Sequence, residues 1–157
     1  MAAFDYPKFL KYLFALLLGQ IIIGAFMSLF QGFFTGETEA MTASISSPSI
    51  SFLLLAYLVF PVTESGILVF FIWALGTMKA HGWVVCLIAG LLFGLMHASF
   101  GVGKIAITVY AGIVYCNLFL RAGGGPSAFL QMCALHMANN LVVVGGVAFI
   151  SMLHGGQ

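Results

Sequence analysis

Glu64, His97, His136 and Asn140 are polar residues set in apolar surroundings, and together their side chains have the types that amide hydrolysis needs. Glu64 lies in LVFPVTESGILVFF, His97 falls near the end of LLFGLMHASF, and His136 opens HMANNLVV, which also holds Asn139 and Asn140. A carboxylate enclosed by apolar helices has its charged form disfavoured, and a neighbouring imidazole holds it ionised and ready to take a proton from water. That is a general base. Imidazole and amide donors directed at a developing oxyanion supply the second requirement, and they gain strength where water is excluded. No covalent nucleophile is needed.

The spacing supports this grouping. His136 and Asn140 are four residues apart and project from one helical face. Phe93 and His97 share that spacing, so the aromatic ring can wall one side of the imidazole. Asn139 points elsewhere on the helix and reads as a helix-contact residue. Each residue also has a plainer reading. His97 can be an interfacial or core histidine, and His136 with Asn140 can be interhelical hydrogen-bond glue. Glu64 is harder to dismiss, because a carboxylate inside a span needs a partner, and the two intramembrane histidines are the good candidates. Two His and one Glu are also a known zinc ligand set, which makes Glu64, His97 and His136 the alternative metal ligands, although no HExxH occurs. The two histidines would also suit axial ligation of a tetrapyrrole. His81 and His154 fall at span ends and read as interfacial, while GVGK at 101–104 is too short for a phosphate loop.

These residues must be positioned by helices in lipid. The 157 residues are 62% hydrophobic and 6% charged, with mean hydropathy +1.16, far from the roughly one quarter charged that is usual in soluble domains. In hydrocarbon only helices and closed barrels satisfy their own backbone groups, and long unbroken apolar runs select helices over alternating strands. The expected fold class is therefore all-α integral membrane, a single polytopic domain over 1–157. Charge, Gly, Pro and Ser divide it into five spans at about 9–33, 51–78, 83–100, 104–121 and 126–153. The first span precedes a four-helix core over 51–153. It is longer than a signal-peptide core and lacks a small-residue cleavage site, so it reads as retained. The polar interval 35–49 is an aqueous loop.

Pro61 removes a backbone donor and predicts a kink that opens space beside Glu64. Gly90 and Gly94 form a GxxxG that either seats a neighbouring helix or faces lipid. Cys86, Cys116 and Cys133 lack CxxC spacing and read as small core residues. With an N-terminus inside, Lys8, Lys11, Lys79 and Arg121 are cytoplasmic and only Lys104 is outside. The net charge of +1 offers no surface for nucleic acid; the expected partners are lipid, a membrane-embedded peptide or other membrane subunits.

The order Glu, FxxxH, HxxxN across successive helices resembles the CPBP family, also called Abi, which includes type II CAAX prenyl proteases and bacteriocin-processing or immunity proteins. The similarity covers about residues 55–145. The second motif reads FGLMH at 93–97, the third HMANN at 136–140, and LFLRAGGGPSAF resembles the family's Arg- and Gly-containing turn. The first motif, a Pro followed by EExxxR, keeps Pro61 and Glu64 but has Ser65 for the second Glu and Val69 for the Arg. The resemblance implies an intramembrane endopeptidase without a cofactor, in which Glu64 and His97 activate water and His136 and Asn140 stabilise the oxyanion. The two departures remove a charged pair expected to brace the site. They motivate a second expectation: a catalytically degenerate relative, a pseudoenzyme serving as an accessory or assembly subunit of a larger membrane complex.

Overall fold

The computed structural model describes residues 6–30, 51, 54–98 and 101–154. Five α-helices run through them: α1 (Tyr6–Phe30), α2 (Phe60–Thr77), α3 (Gly82–Leu95), α4 (Val102–Arg121) and α5 (Pro126–His154), with no strand among the described residues. The expected loop at 35–49 lies outside them. Tyr6–Met27, Leu55–Thr77 and Val102–Arg121 are each long and apolar enough to cross a membrane. The molecule is an all-α integral membrane protein. Exposed Phe14, Ile21, Phe70, Leu91 and Leu130 lie on the outer faces of their helices, where lipid satisfies them.

α2, α3, α4 and α5 form a four-helix ring in which α3 packs on α2 and α4, and α5 packs on α2 and α4. α1 lies outside the ring against α4 and α5. It is nonetheless firmly attached. Tyr12 Oη donates to Asn117 Oδ1 at 2.9 Å, Tyr110 Oη donates to the Ala15 carbonyl at 2.7 Å, and Leu16 is fully buried in the shared core. The core continues through Leu68, Phe93, Tyr115, Leu118 and Met132. The three cysteines are free and buried, as small core residues should be.

The α3–α4 seam is the closest approach in the ring, and glycine permits it. A Cβ on Gly90 would come within 2.9 Å of the Val109 carbonyl, one on Gly94 within 3.0 Å of the Ile105 carbonyl, and one on Gly112 within 3.0 Å of Gly90 Cα. The GxxxG glycines therefore seat α4 and do not face lipid.

Two irregularities interrupt the helices. The first is a π turn, Leu55–Val59, leading into α2. Its cause is Pro61, which has no N–H and whose ring crowds the carbonyl four residues earlier; one extra residue in the turn relieves the crowding. The second is the end of α3. The expected span ran to residue 100, but the helix stops at Leu95 after 14 residues, about 21 Å at 1.5 Å per residue. That is short of the roughly 30 Å hydrocarbon core. The backbone tightens there, because the His97 amide bonds the Gly94 carbonyl at 2.9 Å in place of the Phe93 carbonyl four residues back. Gly101, at φ 89°, then admits the reversal into α4.

Candidate functional site

Each ring helix contributes one side chain to a polar cluster: Glu64 from α2, His97 just past the end of α3, Tyr115 from α4 and His136 from α5. Glu64 stands at the centre. Its Oε1 lies 3.7 Å from His97 Nε2 and its Oε2 lies 3.4 Å from His136 Nε2. His136 is 4% exposed overall, whereas the Glu64 side chain keeps 24% of its surface, so the cluster opens at the carboxylate.

Geometry fixes which partner each ring nitrogen faces. His97 Nδ1 lies 2.9 Å from the Phe93 carbonyl, the one that the His97 amide does not take. A carbonyl only accepts, so Nδ1 carries a proton and Nε2 is the nitrogen that faces Glu64. His136 Nδ1 lies 3.3 Å from Ser65 Oγ. The Pro61 carbonyl, one turn before Ser65, also bonds the ring, and His136 Nε2 faces Glu64 Oε2. The carboxylate thus lies between the Nε2 atoms of two imidazoles from different helices.

Phe93 walls the cluster as its spacing predicts, with its ring centroid 5.1 Å from His97 and 6.0 Å from His136. Tyr115 packs at a tilt against His136, centroids 4.8 Å apart and planes 31° apart, and meets Phe93 edge-on at 6.2 Å. Tyr115 is a site residue that the sequence did not reveal, since an isolated Tyr in an apolar helix carries no motif. Asn139 faces the Tyr115 hydroxyl. Asn139 Oδ1 and Tyr115 Oη are both buried, with no hydrogen-bond partner among the described residues. The helix-contact reading of Asn139 thus becomes a contact with Tyr115 at the back of the site.

Asn140 sits one turn beyond His136 and donates from Nδ2 to the Ala56 carbonyl in the π turn at 3.0 Å. Its amide is therefore tied to the segment that leads into Glu64. The two positions that depart from the first motif are also accounted for: Ser65 is 1% exposed and holds His136, and Val69 packs against the hydrophobic core. Among the described residues, no three His, Cys, Asp or Glu side chains are arranged to hold a metal ion.

No curated protein and no solved structure matches this chain. Residues 45–142 match the family model of the type II CAAX prenyl endopeptidase, Rce1-like. That stretch holds Glu64, His97, His136, Asn140 and the four ring helices down to the middle of α5, and leaves α1 outside. By that match across most of its length, the chain belongs to the Rce1-like family of type II CAAX prenyl endopeptidases, within the wider CPBP group.

Proposed function

We propose that the chain is an intramembrane endopeptidase that hydrolyses a membrane-embedded or lipidated peptide with a glutamate-activated water. The observation that carries this is the Glu64 carboxylate set between two imidazoles, at 3.7 and 3.4 Å. A water at the open side of Glu64 gives one proton to the carboxylate while His97 Nε2 accepts from the other and aligns the oxygen. The oxygen adds to the scissile carbonyl carbon. His136 and Asn140 donate to the resulting oxyanion, which collapses as the C–N bond breaks and the departing amine takes the proton back from Glu64.

The family name points to a prenylated peptide as the first substrate to try. The purified chain in lipid vesicles, given a farnesylated peptide with a CAAX terminus, is expected to release the C-terminal fragment. Glu64→Gln should abolish that release while leaving the thermal unfolding midpoint in place. Release that persists in Glu64→Gln would sink the proposal.

A second reading, a degenerate accessory subunit, is favoured by Ser65 and Val69 standing where the family motif has Glu and Arg. It expects stable copurification with other membrane subunits and no consequence of Glu64→Gln for that complex.

For topology, we place the N-terminus in the cytoplasm. Lys8 Nζ donates to the Arg121 carbonyl at 3.3 Å, which brings two cationic ends together, and Lys11 and Lys79 belong to the same end of the ring under the positive-inside rule. Cysteine-accessibility labelling at positions 8 and 104 should give opposite sides.

A further inference from the structure

We infer that Pro61 and the Ala56 carbonyl form a positioning device for Asn140, and that Pro61 acts by leaving that carbonyl without a backbone donor. The argument starts from counting donors. In the π turn the Phe60 amide bonds the Leu55 carbonyl, five residues back. The next carbonyl, Ala56, has two possible backbone donors: Phe60, already committed, and residue 61, which is proline and has no N–H. A buried carbonyl left in that state is destabilising in hydrocarbon, where no water replaces the missing donor. Ala56 is 8% exposed. Asn140 Nδ2 supplies the bond from α5 at 3.0 Å.

The consequence reaches the site. An amide side chain has an oxygen and a nitrogen of nearly the same shape, and a free Asn turns either toward its surroundings. Only the nitrogen end of an amide side chain can donate to a carbonyl, so Ala56 holds the Asn140 amide with its NH2 end toward α2, the helix that carries Glu64. One N–H of Nδ2 is engaged, and the second remains as a donor of fixed orientation. Turned the other way, Oδ1 would confront an oxyanion and oppose its formation. His97 is oriented by the same device, its Nδ1 engaged by the Phe93 carbonyl that the His97 amide does not take. In this role Asn140 is held, and Pro61 is a positioning residue that acts on it through the Ala56 carbonyl. The role in turnover rests on the hydrolytic proposal above, whereas the link itself does not.

The link is tested by a double-mutant cycle read as thermal unfolding midpoint in lipid or detergent, with no substrate. Asn140→Ala should lower the midpoint by several degrees when Pro61 is present. In a Pro61→Ala background, where a backbone amide serves the Ala56 carbonyl, it should lower it far less. Equal losses in the two backgrounds would overturn the link.

Turnover then tests the orientation. Pro61→Ala should reduce kcat about tenfold, the effect of losing roughly 1.4 kcal/mol of transition-state stabilisation, with KM unchanged. Replacing residue 61 with the α-hydroxy analogue of alanine, which lacks the N–H as proline does, should restore most of kcat. Failure of that rescue, or an undiminished kcat in Pro61→Ala, would overturn the orienting role. A chain that shows the stability coupling but hydrolyses no peptide in any variant would count against the hydrolytic proposal alone.

Discussion

The α3–α4 seam and the α2–α5 seam close the same four-helix ring by opposite means. Along α3–α4, Gly90, Gly94 and Gly112 bring two regular helices into backbone contact. Along α2–α5, a π turn and hydrogen-bonded polar side chains, Asn140 to Ala56 and Ser65 to His136, do the joining. The first seam gains its stability from close packing, which in lipid replaces the hydrophobic drive. The second places polar groups and irregular backbone where lipid cannot satisfy them, so every partner must come from the protein. Regular packing supplies the scaffold, and carbonyls at the two helix irregularities hold the His97 and Asn140 side chains.

That contrast can be broken most severely at Glu64. Glu64→Gln should cut peptide hydrolysis by about a thousandfold, the range for loss of a general base, with little change in stability. A peptide-release assay run beside a thermal melt distinguishes the two. Next in size is the packed seam, where Gly94→Val should destabilise by about 3 kcal/mol, because the new side chain meets the Ile105 carbonyl and the Val109 amide at 3.0 Å. The melting midpoint should fall, and the remaining folded fraction should keep its specific activity.

Smaller effects sharpen the same distinction. Ser65→Ala removes the partner of His136 Nδ1 and should lower kcat about fivefold, close to 1 kcal/mol, the net worth of one hydrogen bond. NMR of the His136 ring nitrogens should show a shifted Nδ1 resonance relative to the parent. The smallest change expected is at Tyr115→Phe. Its hydroxyl is buried without a partner among the described residues, so removing it should leave the midpoint unchanged or raise it slightly. A fall in the midpoint would mean that the hydroxyl is satisfied, and would end the contrast at that residue.

Much of the fold was legible because lipid imposes simple rules. Once the π turn is counted with α2, hydropathy located all five helices to within a few residues, with one informative exception: α3 ends at Leu95, where the His97 ring, and not the His97 amide, takes the Phe93 carbonyl. No hydropathy window registers which donor a carbonyl receives. Glu64, His97 and His136 were legible for the same reason that they are unusual, since ionisable groups inside a span need partners and few were present. GxxxG left two readings open, because spacing alone does not say which side of a helix faces a neighbour.

What the chain's own residues determined, then, was that five apolar helices cross or enter a bilayer and that a carboxylate and two imidazoles must meet among them. The tertiary structure decided how they meet. Only the packed ring brings Tyr115 against His136, places Ser65 where a second carboxylate stands in the family motif, and sets Asn140 beneath a carbonyl that Pro61 cannot serve. Composition and spacing report what each residue requires of its surroundings. Which atom answers that requirement depends on distances between helices far apart in the chain, and those arise only when the bundle closes.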